Sequence, residues 1–366
     1  MDSLSDYIRW MADFPISMTG FREADALVLC ALSYIDMSPV FSSGGDSYPV
    51  SDCRSMVENG QVRVMITGGD EGYPELLAHA AASKRFGELR MSGYVDIFRT
   101  DPPLQFSALC FRDAAGFSFL AYRGTDSSLA GWEEDFMISF RRTEAQELAL
   151  RYAEEHITPD ARWYVGGQSK GSNLALYASC MMSEEKWNAV ERVFLLDGPG
   201  LCPEVLDEGL IGRIDSRTTQ IVPGYCVVGK LFAPQIRDTR IIASSASGVM
   251  QHALISWGID HGELALLEEH DPMSVFMSET MDSWIRSISQ EDRVIFVREL
   301  FDALAGGGAE TLDEIRKGGR AGIEAILRSL GETSEVTKQT LSDLPKYAMK
   351  TQLEELRKKL AAAAGR

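Results

Sequence analysis

Apolar side chains recur with a helical period at Ala24, Leu27, Val28, Ala31, Leu32 and Ile35, which predicts an amphipathic helix over 21–36 covering one face of a sheet. The pattern then breaks. Residues 38–70 are polar and punctuated, bracketed by Ser42-Ser43-Gly44-Gly45-Asp46 and Gly68-Gly69-Asp70, and read as a loop long enough to act as a flap. A second helix is expected from Pro74 to about Lys84. From Met91 the pattern turns to strands. Phe106-Ser107-Ala108-Leu109-Cys110-Phe111 and Phe117-Ser118-Phe119-Leu120-Ala121-Tyr122 flank Asp113-Ala114-Ala115-Gly116, which makes them a hairpin by composition.

A helix follows from Glu144 to about His156, then a short apolar run, a further helix, the buried strand Arg192-Val193-Phe194-Leu195-Leu196, and strands at 219–222 and 240–243. Strands alternating with helices predict an α/β architecture, a mainly parallel sheet with helices on both faces. Beyond about Pro272 strand signals vanish and helices fill the rest, interrupted at Gly306-Gly307-Gly308 and Pro345, the last running from Gln352 to Ala364. The expected division is a sheet domain over 1–271 and a helical C-terminal extension over 272–366, serving as a cap or as an arm for a protein partner or second copy.

The chemistry concentrates at Trp163-Tyr164-Val165-Gly166-Gly167-Gln168-Ser169-Lys170-Gly171-Ser172-Asn173. Gly167-x-Ser169-x-Gly171 between a strand and a helix is the sequence form of a nucleophile elbow. A serine on so sharp a turn holds strained backbone angles, and its neighbours two residues away must lack side chains. Its hydroxyl stands at the positive end of the following helix, where charge developing on a substrate oxygen is favoured.

A serine needs a base. Of His79, His156, His252, His261 and His270, only the last three follow the serine, as the chain order of serine, acid, histidine requires. His252 follows a loop-like stretch after the last expected strand, from which it can reach back over the sheet edge; His261 and His270 read as surface or capping residues. For the acid, Asp197 at the tip of the strand after the elbow helix is best placed, with Asp238 as its substitute. An oxyanion hole would take the N–H of Lys170 and a second donor from Thr125 in Arg123-Gly124-Thr125, with Arg123, Asp126 and Asp135 bracing that loop. Trp132 and Trp257 are candidates for an acyl pocket, or plain core.

Composition narrows the field. The chain has 366 residues, 45% hydrophobic and 25% charged, as soluble globular proteins do. A formal charge of −18 repels phosphate backbones and anionic headgroups at long range, which argues against nucleic-acid partners but permits a neutral or lipidic substrate. No apolar stretch is long enough for stable membrane insertion. Met1-Asp2-Ser3-Leu4-Ser5-Asp6 does not read as a secretory signal. The six cysteines are scattered without metal-ligand spacing, so the expectation is a cytoplasmic protein with buried thiols, without disulfides, metal or organic cofactor.

Tyr122-Arg123-Gly124-Thr125-Asp126, Gly131-Trp132-Glu133-Glu134-Asp135-Phe136 and Gly167-Gln168-Ser169-Lys170-Gly171 together resemble the class 3 (fungal-type) lipases. A closer likeness is to a related bacterial family of α/β-hydrolase-like proteins, carried by Ser83-Lys84-Arg85-Phe86, Leu196-Asp197-Gly198-Pro199-Gly200 and Met250-Gln251-His252 with Trp257. The resemblance spans roughly residues 20–300. It implies an α/β-hydrolase fold with Ser169 and His252 as catalytic pair and Thr125 near the oxyanion. One position departs from the lipases, whose acid precedes an Ile/Val-Val-Pro triplet: Gln220 stands before Ile221-Val222-Pro223. Asp197 is then the favoured acid.

The leading expectation is a serine hydrolase of lipid or acyl esters. Thioesterase or peptidase activity with the same machinery, and a catalytically silent hydrolase-fold binding protein, are the alternatives.

Overall fold

The two apolar runs around Asp113–Gly116 form the expected hairpin, and a nine-stranded sheet grows on both sides of it. In this computed structural model the described residues are 1–66, 71–126, 128–138, 140–202, 205–306, 311, 314, 319–343 and 345–347. The strands are β1 (Ser47–Pro49), β2 (Arg90–Thr100), β3 (Pro103–Arg112), β4 (Phe117–Tyr122), β5 (Arg162–Gln168), β6 (Val190–Leu196), β7 (Thr218–Pro223) and β8 (Asp238–Ile242). A small separate hairpin, β9 (Ile259–Asp260) and β10 (Glu263–Leu264), precedes β11 (Leu266–Leu267). The sheet order is β1-β2-β3-β4-β5-β6-β7-β8-β11.

This is a mixed α/β architecture, and the expectation of a mainly parallel sheet holds only at its centre. Strands β4 to β8 pair in parallel. Strands β1 to β4, and β8 with β11, pair antiparallel. For β2, β3 and β4 the cause is connection length: parallel neighbours need a crossover of a dozen or more residues, and the turns joining these strands are too short for one. Because β4 to β8 run the same way, the residues after β4, β5, β6 and β7 all emerge along one edge, where open sheets gather their ligands.

Each face carries its own core. Helices Leu4–Met11, Glu23–Leu32 and Tyr73–Ala82 cover one face with Leu4, Tyr7, Leu27, Val28, Leu76 and Leu77. The helix over 23–32 is buried on every side from Ala24 to Leu32, because its neighbours cover the face that its period left for solvent. Its buried carboxylate, Asp25, is held by Arg85 Nε at 2.6 Å and Tyr7 Oη at 2.8 Å. The other face carries Glu144–His156, the elbow helix Lys170–Met181, and the C-terminal helices Pro272–Ser287 and Gln290–Ala305. Trp284, Phe296 and Phe301 of the extension belong to the same core as Leu174 and Trp163.

Residues 38–70, read as a loop, hold more structure than their polarity foretold. Two short helices, Ser38–Phe41 and Arg54–Glu58, flank the edge strand β1, and Val50, Cys53 and Met56 are buried. An edge strand this short needs backbone pairing more than an apolar pattern. Gly68-Gly69-Asp70, Gly307, Gly308 and the expected helix from Gln352 to Ala364 lie outside the described residues. Among the described residues no helix is long and apolar enough to cross a membrane. All six cysteines are buried and unbonded to one another.

Candidate active site

Strand β5 stops at Gln168, and the chain turns so sharply that Ser169 takes φ 59 and ψ −127 before helix Lys170–Met181 begins. A non-glycine residue in that region costs on the order of 1–3 kcal/mol and persists only where its surroundings force it. The surroundings are visible here. A Cβ at Gly167 would come within 2.3 Å of the Gly171 carbonyl, and one at Gly171 within 2.2 Å of the Tyr122 oxygen. The two glycines let helix, β4 and β5 close on one another, and Ser169 is lifted over the edge. The first N–H groups of the helix have no intrahelical acceptor there.

His252 closes a 3-10 turn, Gly248–His252, after β8. Its Nε2 lies 2.9 Å from Ser169 Oγ and its Nδ1 2.6 Å from Asp197 Oδ2. Asp197 follows β6, is buried, and takes φ 41. Its other oxygen accepts from the Gly229 N–H and the Cys226 thiol, both at 3.1 Å. Burial, and then the neighbouring Asp197 charge, push the Cys226 thiol well above its usual range, so it stays a donor. With Asp197 accepting at Nδ1, Nε2 is left to accept from the serine hydroxyl.

The substitute acid goes elsewhere. Asp238 accepts from Arg240 at 2.8 Å and Thr219 at 2.8 Å, and pairs with Arg192. Gln220 stays on β7, accepting from Thr239 at 3.3 Å. His261 is exposed, and His270 faces the Gly224 carbonyl at 3.3 Å.

On the other side of Ser169, β4 runs into Arg123-Gly124-Thr125. Arg123 is buried and grips Asp96 with Nη1 at 3.0 Å and Nη2 at 2.8 Å. The Thr125 hydroxyl donates to Asp135 Oδ2. Asp126 accepts from the Ser128 backbone at 2.9 Å. The three bracing expectations therefore find partners of the right kind.

Lys170 does more than its position in the motif foretold. Its side chain is fully buried and reaches Glu134 Oε2 and, at 3.3 Å, Gln105 Oε1, with Asp135 Oδ1 at 3.9 Å. Among the described residues, Glu134 Oε1 and Asp135 Oδ1 are buried without a hydrogen-bond partner. Burial raises the Asp135 carboxyl to about 7, Lys170 and the Thr125 hydroxyl pull it down, and Glu134 adds to the rise. Gln168, the unspecified residue before the serine, donates to the His252 carbonyl at 2.9 Å and accepts from Tyr34 Oη. Glu134, Gln105, Gln168 and Tyr34 were missed. The available signal was a lysine at the first turn of an otherwise apolar helix, which demands a buried carboxylate.

A cavity of about 230 Å³ begins at Ser169 and His252 and runs between the sheet edge and the C-terminal helices. Trp132, Phe136, Phe232 and Trp284 line it. Trp257 does not. It is fully buried in the core of the opposite face, and its indole donates to the Gln251 carbonyl at 2.8 Å, steadying the His252 turn from behind. Periodicity and composition cannot tell which core an aromatic side chain joins.

Residues 80–302 match the Mbeg1-like family, more than half of the chain. The chain belongs to the Mbeg1-like family. In this lipase-like family the matched region takes in the elbow, Asp197, His252, helix Pro272–Ser287 and most of helix Gln290–Ala305. Among solved structures, the crystal structure of M37 lipase is similar at 13% identity and a TM-score of 0.34, covering 57% of this chain and 69% of that one. No curated protein matches the sequence.

Proposed function

We propose that this Mbeg1-like protein is a serine hydrolase of carboxylic esters, acting on lipid or acyl esters from an α/β-hydrolase fold. The observation that carries the proposal is the line from Ser169 Oγ to His252 Nε2 at 2.9 Å and from His252 Nδ1 to Asp197 Oδ2 at 2.6 Å. Ser169 attacks the ester carbonyl while His252 takes its proton. Asp197 holds the ring in the tautomer that can accept, and stabilises the imidazolium that forms. The N–H groups of Thr125 and Lys170 receive the oxyanion, aided by the positive helix end. His252 then returns the proton to the leaving alcohol, and water releases the acyl group by the same steps in reverse.

The rest of the site supports this reading. Arg123 bound to Asp96, and Thr125 bound to Asp135, hold the oxyanion loop in place before substrate arrives. The apolar cavity suits an acyl chain, with Trp132 on its wall. The mechanism calls for no metal or organic cofactor. Six buried thiols outside any disulfide support a reducing, cytoplasmic setting.

A fluorophosphonate probe tests the proposal. Native protein is expected to label at Ser169, and Ser169→Ala and His252→Ala to lose the label. A folded native protein that does not label would instead be a binding protein built on a hydrolase scaffold. Turnover of aryl esters of rising chain length, against a thioester and an anilide of the same acyl group, then identifies the bond cleaved.

A further inference from the structure

The cavity beside Ser169 is walled almost wholly by apolar side chains, yet Arg293 from helix Gln290–Ala305 stands in its lining. Arg293 is only 8% exposed. Its Nε donates to the Ile285 carbonyl at 2.8 Å, in the last turn of helix Pro272–Ser287. Its guanidinium carbon lies 5.7 Å from the ring centres of both Phe140 and Phe232. A cap on that helix uses one of five N–H donors. Among the described residues no carboxylate pairs with Arg293, and its two Nη groups make no hydrogen bond.

Arg112, Arg213 and Arg217 also lie over aromatic rings and donate to backbone carbonyls, but none of them lines this cavity. Arg85 is paired with Asp25, Arg123 with Asp96, and Arg286, which shares the Phe232 ring, with Asp282. Arg293 alone of these four faces a cavity, and it alone lacks its anion. A largely buried guanidinium whose Nη groups border a cavity is a fork shaped for a carboxylate or a phosphate. The overall charge of −18 does not oppose this, since surface charges are screened within a Debye length while a contact pair inside a largely apolar cavity is screened much less.

We infer that Arg293 binds an anionic group carried by the substrate, a carboxylate or a phosphate, set apart from the scissile ester by a spacer of a few atoms. The inference rests on Ser169 being the nucleophile. It narrows the substrate class from neutral acyl esters to amphiphilic esters with one anionic end.

The test compares matched p-nitrophenyl esters on the full chain: hexanoate and octanoate against the half-esters of adipate and suberate. A monoacyl glycerol phosphate against the same monoacyl glycerol covers an anion on the alcohol side. The expected result is a kcat/KM ratio of about tenfold or more for the anionic member of at least one pair, which corresponds to one charge-assisted hydrogen-bonded contact. Which pair responds tells a carboxylate on the acyl chain from a phosphate on the alcohol. In Arg293→Gln the ratio is expected to fall to about 1, and in Arg293→Lys to an intermediate value, because the ammonium keeps the charge without the fork. The ratio for native protein needs no variant, so the inference stays testable should Arg293→Gln not fold. Native ratios at or below 1 for every pair, with neutral esters turned over, overturn the inference and leave the hydrolase standing. A preference that survives in folded Arg293→Gln overturns it too. No labelling and no turnover of any ester overturns the hydrolase reading, and this inference with it.

Discussion

Two buried ion pairs divide the molecule. Arg85 and Asp25, in the core of the N-terminal helices, are completed on every side: Arg85 also donates to the carbonyls of Phe14 and Gly20 and to Thr19, each at 2.9 Å, and Tyr7 adds a donor to Asp25. Lys170 and Glu134, under the Arg123-Gly124-Thr125 loop, are not completed among the described residues. Among the described residues Glu134 Oε1 and Asp135 Oδ1 have no donor, and burial pushes the Asp135 carboxyl up to about 7. Burying a pair is costly, and only a full set of hydrogen bonds offsets it. A pair left unfinished is tolerated where its field does something else, and this one lies beside the serine held at φ 59. The first pair is built for the fold and the second for the site.

The largest test of that division is Ser169→Ala. We expect ester turnover to fall on the order of 10⁶-fold, with the melting temperature changed little. An equal loss of stability would mean that the elbow is part of the frame.

Next in size is Arg85→Met. It strands Asp25 in an apolar core and is expected to cost about 3–5 kcal/mol in denaturant unfolding, most of it recovered when Asp25→Leu is added. Turnover per labelled site should stay as in the native protein. A fall in kcat in the folded variant would merge the two regions.

Lys170→Met should be the reverse in kind. It removes the cation under Thr125 and Asp135, so kcat per labelled site is expected to drop by about 10- to 100-fold in the fraction that folds. Stopped-flow labelling with a fluorophosphonate reads the same step.

The smallest effect is a slope. The Asp135 carboxyl rises from 3.8 to about 7 on folding, so between those values the folded protein holds more protons than the unfolded one. Stability is therefore expected to fall as pH rises from about 4 to 7 and to level off above. Asp135→Asn should flatten that segment of the melting curve against pH. An unchanged slope would assign it to another group.

Much of this was legible in the chain, and what was not has a common cause. The elbow showed because its requirement is local: two glycines and a serine at fixed spacing between a strand and a helix. His252 and Asp197 showed through chain order and their places after strands. Trp257 did not, since an aromatic residue carries no mark of the core it will join. Nor did the partners of Lys170, because Glu134 and Gln105 stand 36 and 65 positions away. The hairpin of β3 and β4 was legible in its turn residues, whereas the edge strand β1 was hidden by its polarity and β11 by its two-residue length.

Short-range sterics and periodicity are properties of neighbouring residues, so the amino-acid order alone determined the helices, the central strands, the strained turn and the type of side chain each role requires. Which face a side chain reaches, which charge goes unpaired and which helix roofs a cavity depend on elements brought together from tens or hundreds of positions apart. Those were decided only when the chain packed, because a buried charge acquires its energy from whatever the fold sets beside it.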